Sequence, residues 1–89
     1  MTRRVRAVVH GRVQGVGFRW SVLEAARRAG AAGWVRNRSD GTVEAEVEGD
    51  DAAVAAVLDV LRTGPAAAQV TDVEVTDVPP AGESGFGVL

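Results

Sequence analysis

Residues 11–19, Gly-Arg-Val-Gln-Gly-Val-Gly-Phe-Arg, carry glycines at a spacing that frees the backbone and end on an arginine, with no acidic side chain among them. An alternating apolar run precedes this stretch and a helical pattern follows it. Glycine lets a chain turn successive N–H groups inward, and a loop of that kind at a helix N-terminus surrounds an anion. Arg19, at the junction, adds a planar fork of donors matched to phosphate oxygens. Because the loop joins a strand to a helix, its free N–H groups and the helix dipole point at the same spot. The chemistry these residue types can do is to cradle a phosphoryl group.

A second constellation is Gly33-Trp34-Val35-Arg36-Asn37, followed by Gly41, Val43 and Gly49. Asn37 stands at the end of a strand that enters a hairpin. A side-chain amide there can accept a hydrogen bond from water while donating one to a phosphate oxygen. The plainer reading of Asn37 is a turn cap before Ser39-Asp40-Gly41, and that of Arg19 is a surface arginine over Trp20. Gln14 can contribute its backbone N–H alone, its side chain folding back to brace the loop.

Other tempting residues read as scaffold. His10, the only histidine, sits at a strand end, where a neutral hydrogen-bonded imidazole is the common case. Ser21 has no base beside it and belongs to a first helical turn. Phe18, Trp34 and Phe86 read as core or pocket wall. Glu44, Glu46 and Glu48 alternate along one strand and read as a solvated face, not a metal site.

The elements that must position the cradle follow from periodicity. Val5, Ala7 and Val9 alternate with Arg4, Arg6 and His10, a half-buried strand. Val22, Leu23, Ala26 and Ala29 share one helix face that stops at Gly30. Residues 32–37 form a short strand, and Val43, Ala45 and Val47 form the inward face of the next. Asp50 and Asp51 supply an N-cap and a first-turn acid to a second helix. Its stripe is Val54, Val57, Leu58 and Leu61, and Gly64-Pro65 ends it. Residues 70–78 make another strand, broken by Pro79-Pro80, and Phe86-Gly87-Val88 suits a short edge strand. The order is βαββαβ, and right-handed crossovers put both helices on one face of an antiparallel sheet. The expected fold is α+β, a ferredoxin-like sandwich over residues 1–89 as a single domain.

Composition narrows the chemistry further. The 89 residues include no cysteine, so thiolate nucleophiles, disulfides and cysteine-bound zinc are excluded. All ten basic residues are arginine, which removes Schiff-base chemistry and a lysine-dependent nucleotide loop. The net charge of −2 argues against a general nucleic-acid binder. The basic N-terminus is interrupted by Arg6 and His10, so no signal-peptide core forms, and no stretch approaches a membrane span. A cytoplasmic location is expected, and nothing calls for a cofactor or a metal.

Gly11-Arg12-Val13-Gln14-Gly15-Val16-Gly17-Phe18-Arg19 resembles the first acylphosphatase signature at every fixed position. Gly33-Trp34-Val35-Arg36-Asn37, with Gly41, Val43 and Gly49 after it, resembles the second, also in full. Length and element order are similar from the first strand to the C-terminus. The resemblance implies an acylphosphatase, which hydrolyses the carboxyl–phosphate bond of acyl phosphates to a carboxylate and inorganic phosphate. By the same resemblance the attack is in-line, by water, and needs no metal. Phosphate binding falls to Gln14, Gly15, Val16, Gly17, Phe18 and Arg19, and catalysis to Arg19 with Asn37. The expected partners are a small-molecule acyl phosphate and inorganic phosphate as product and inhibitor, with no nucleic acid and no membrane, for a monomer.

Two other functions compete. A non-catalytic module could use the same cradle to sense phosphate, but it would not need a water-positioning amide. An RNA-binding domain of this topology would carry exposed aromatics on its central strands. Val5–Val9 and Thr42–Glu48 carry none.

Overall fold

The computed structural model describes residues 2–89. Its elements are β1 (Arg3–Arg12), α1 (Phe18–Ala29), β2 (Ala32–Asn37), β3 (Val43–Gly49), α2 (Asp51–Thr63), β4 (Gln69–Val78) and β5 (Phe86–Val88). They form one five-stranded sheet in the order β4-β1-β3-β2-β5. Val5 pairs with Val47 and Ala7 with Ala45 across the central antiparallel pair, while Val35 faces Ala45 from β2. Alternation therefore sends all of these to one face, where they share a core with Val22 and Ala26 of α1 and Val54, Val57 and Leu61 of α2. The α+β, ferredoxin-like expectation holds.

One part of it needs correction. The sheet is mixed rather than antiparallel, because β5 pairs parallel to β2, with Val35 beside Val88. Pro79 and Pro80 end β4, and the chain then reaches the far edge of the sheet, which a hairpin could not reach. Gly33 N–H donates to Gly85 C=O at 3.0 Å and Leu89 N–H to Val35 C=O at 2.9 Å, which seats the strand.

The helix ends follow the expected chemistry. Asp50 caps α2 by accepting from Ala53 N–H at 2.7 Å, and Gly30 closes α1 in the left-handed region. The N-terminus of α1 differs. Gly17 stands at the cap with φ 79°, makes no side-chain cap, and no acid occupies the first turn.

The outward row of β3 is the second correction. Glu44 and Glu48 are only 2% and 5% exposed, so these two are buried, while Glu46 is partly exposed. Arg6 and Arg36 both reach Glu44, each at 2.6 Å. Arg4 bridges Glu46 at 2.7 Å, Glu48 at 3.1 Å and Glu83 at 2.7 Å. Burial pushes the Glu44 carboxyl up, but hydrogen bonding from Arg36 and the charges of Arg6 and Arg36 outweigh it, leaving it below the usual range. For Glu48 the hydrogen bond from Ala81 N–H leads, and the carboxyl is again lowered. Burial alone would lower the Arg4 guanidinium, yet its three carboxylate partners raise it. The three buried charges, Arg4, Glu44 and Glu48, each have an opposite charge beside them.

Candidate active site

β1 runs two residues further into the glycine stretch than a loop over residues 11–19 implies. Gly11 and Arg12 still pair with β4, after a register shift between His10 and Gly11. The turn proper is residues 13–17, and Phe18 and Arg19 already belong to the first turn of α1. Gly15 and Gly17 carry φ of 74° and 79°, a region that L side chains enter at a cost of about 1–2 kcal/mol. A Cβ at either would meet nothing within 4 Å. These glycines are thus required by backbone conformation, and the space beside them is open.

Ser21 N–H closes the first helical turn on Gly17 C=O at 3.1 Å. The N–H groups of Phe18, Arg19 and Trp20 precede that bond and have no helical acceptor. With no side chain capping them, the positive end of α1 faces outward beside the turn.

Side chains of the turn divide by role. Val13 and Phe18 are buried in the core, and Val16 packs against it, so what these residues offer to the exterior is backbone. The Gln14 amide donates both of its N–H bonds across to the β2–β3 turn, to Arg38 C=O at 2.7 Å and Thr42 C=O at 3.0 Å. It folds back as a brace. The strand end holding Asn37 is thereby tied to the glycine turn, although the two are far apart in the chain.

Arg19, Asn37, Gly15 and Gly17 line one cavity of about 400 Å³. The two residues expected to act together are brought to the same opening. Asn37 Oδ1 is buried and accepts no hydrogen bond within the described residues. A buried acceptor left unpaired costs about 1–3 kcal/mol. Arg19 is half-buried, and its Nη1 donates to Leu89 C=O at 3.4 Å, a long bond on one edge of the guanidinium.

His10 lies outside this group. Its Nε2 meets Glu74 Oε2 at 2.5 Å on the β1–β4 pair, the scaffold role expected of it. Ser21 Oγ donates to Gly17 C=O at 3.3 Å within the helix. Among the described residues no Asp, Glu or His side chain lines the cavity, and they hold no group of three His, Cys, Asp or Glu able to ligate a metal.

Sequence reasoning missed part of the cavity lining, which Trp20, Leu23 and Val88 supply. The only sequence signal was the apolar character of the last residues. That signal could not show β5 coming beside α1, because a parallel edge pairing is not encoded locally.

The acylphosphatase family profile matches residues 5–88. The acylphosphatase of Thermococcus kodakarensis is 53% identical over 89 residues, covering 98% of each chain. That of Anaeromyxobacter dehalogenans is 57% identical, covering 92% of this chain and 88% of its own. The chain belongs to the acylphosphatase family. A crystal structure of acylphosphatase from Bacillus subtilis superposes with a TM-score of 0.93 at 39% identity, covering 100% of this chain and 99% of that one. The chain is therefore a hydrolase with a ferredoxin-like α+β fold, and a small acyl phosphate is its kind of substrate. No helix among its described residues is long and apolar enough to cross a membrane.

Proposed function

We propose that the cavity at the head of α1 hydrolyses the carboxyl–phosphate bond of acyl phosphates by in-line attack of water, without a metal. Backbone N–H groups from Gln14 to Arg19, with the Arg19 guanidinium, hold the phosphoryl oxygens. Asn37 Oδ1 accepts a hydrogen bond from the attacking water. The observation that carries this reading is that buried, unpartnered Oδ1 at the cavity Arg19 lines.

The chemistry needs little else. Phosphoryl transfer is governed by positioning and charge stabilisation more than by covalent help from the protein. Water oxygen bonds to phosphorus as the bond from phosphorus to the acyl oxygen breaks, and that electron pair leaves on the carboxylate. The acid of such a carboxylate has a pKa of roughly 4–5, so it departs without being protonated. A phosphoryl oxygen of the substrate takes the proton from water. This fits a cavity that no Asp, Glu or His side chain among the described residues lines. Phosphate monoesters, whose alkoxides need protonation or a metal, would be poor substrates for the same site. Product phosphate would occupy the cradle and inhibit.

The test separates the two residues. Asn37→Ala should lower kcat by at least about a hundredfold while inhibition by inorganic phosphate is kept. Arg19→Ala should weaken phosphate inhibition and turnover together. Hydrolysis of benzoyl phosphate in excess EDTA, with p-nitrophenyl phosphate as the monoester control, tests the metal and the substrate class. Equal loss of phosphate inhibition in both variants would overturn the division of roles. Turnover abolished by EDTA would overturn the metal-free reaction.

A further inference from the structure

The cavity lining is of two kinds: Gly15, Gly17, Arg19 and Asn37 offer polar groups, while Trp20, Leu23 and Val88, together with Val13 and Phe18, offer apolar ones. Among the described residues the large hydrophobic side chains left exposed are Trp20, Val88 and Leu89, at 61%, 42% and 67%. Two of them line this cavity, and Leu89 touches Arg19 through its carbonyl. Trp20 takes no part in the hydrophobic core. An indole kept out of the core and in water contributes little to folding, and here it stands one residue beyond the arginine of the cradle.

We propose that Trp20, Leu23 and Val88 are an acyl-group subsite that selects acyl phosphates whose acyl portion is uncharged, apolar and about the size of an aromatic ring. The inference rests on the reading that the cradle takes the phosphoryl group of an acyl phosphate. With phosphorus beside Gly15–Arg19, the acyl oxygen leaves in line as part of the carboxylate, on the side away from the attacking water, and carries the acyl group with it. The apolar wall belongs to the same opening. A volume of about 400 Å³ falls in the range of sites that enclose a small organic molecule, roughly 300–1,000 Å³.

The lining also discriminates. Arg19 and Asn37 are its polar side chains apart from the single Nε1–H of the Trp20 indole, and both are assigned to the phosphoryl group and the water. A charged or amide-bearing acyl group would lose water there and gain at most the one indole N–H as a partner. An apolar ring instead removes indole and Val88 surface from water, and indole edges and faces favour a second ring. Because this burial lies on the acyl side only, it separates one acyl phosphate from another.

The experiment compares kcat/KM for benzoyl phosphate and acetyl phosphate in the full chain and in Trp20→Ala and Trp20→Phe. The wild-type chain should prefer benzoyl phosphate. Trp20→Ala should lower the benzoyl-to-acetyl ratio about tenfold, and Trp20→Phe should restore most of it. Inhibition by phenylphosphonate should weaken more than inhibition by methylphosphonate in Trp20→Ala, a readout that needs no turnover. An unchanged ratio, or an equal fall for both substrates, would overturn the subsite. So would a wild-type preference for acetyl phosphate or for a phospho-aspartyl peptide. If the wild-type chain hydrolyses neither substrate, the hydrolytic reading fails instead, and the phosphonate pair still decides whether the apolar wall binds a ring.

Discussion

At the scale of single residues, Gln14 shows how a backbone turn and a distant side chain are held in register. Both of its N–H donors are spent on carbonyls of the turn that follows Asn37. Gln14→Glu removes both donors and places a carboxylate beside two carbonyl oxygens, so the brace becomes repulsive. The expected result is a fall in kcat of roughly tenfold or more, from misplacement of Asn37. In an Asn37→Ala background the same change should cost much less, since residues acting through one contact are not additive. A full and independent loss in both backgrounds would mean that Gln14 acts on the cradle directly. Asn37 itself was read as a water-positioning amide from the signature it completes. What the sequence could not show is that its oxygen is buried and unpartnered, because that depends on β2 and α1 meeting.

At the scale of elements, the outer face of β1, β2 and β3 is an ion lattice built by register. Arg4 pairs with Glu48 and Arg6 with Glu46 along the ladder, yet each guanidinium also reaches diagonally, Arg4 to Glu46 and Arg6 to Glu44. The folded state holds the Glu44 and Glu48 carboxyls below their ordinary range. The unfolded chain therefore binds a proton first, near pH 4, and acid favours unfolding. The stabilisation is complete above that pH and is lost as pH falls through the depressed values. Thermal melts from pH 7 to pH 3 should show a constant Tm at the upper end and a steep fall at the lower. Glu44→Gln should lower Tm at pH 7 and shrink the acid-dependent part, with the gap to wild type closing towards pH 3. A gap that stays constant with pH would show that packing, not charge, explains the loss. An alternating Glu row looks solvated in sequence because its partners come from two other strands, and strand pairing is not a local property.

Across the whole molecule, the C-terminal arm connects that lattice to the cavity. Glu48 accepts from Ala81 N–H at 2.6 Å and Gly82 N–H at 3.0 Å, and Arg4 holds Glu83. Beyond Gly85 the chain becomes β5, fills a core position with Phe86, lines the cavity with Val88 and meets Arg19 at Leu89. One segment therefore pairs with the edge of β2 and supplies part of the cavity lining. Ending the chain after Gly85 should lower Tm by removing a buried phenyl ring, a loss of about 3–5 kcal/mol by analogy with Phe→Ala changes. It should also lower kcat/KM for benzoyl phosphate. Phe86→Leu serves as the control, since it retains β5 and most of the burial. If its loss of activity matched the truncation, the effect would be one of stability alone.

The sequence by itself determined the element order, the two amphipathic helix faces, the capping of α2 by Asp50 and the glycine turn that leads into α1. These follow from short-range causes: periodicity, glycine's access to positive φ, and side chains that cap their own neighbours. Gln14, Gly15, Gly17 and Arg19 could be singled out because they lie within nine consecutive residues, and Asn37 because it completes a second signature. Tertiary structure alone decided that β5 runs parallel to β2, that Glu44 and Glu48 are buried among arginines, and that Trp20 and Val88 share a wall with Arg19. Each of these joins residues distant in the chain, and the free energy that selects them lies in burial and charge pairing, which exist only once the strands are side by side.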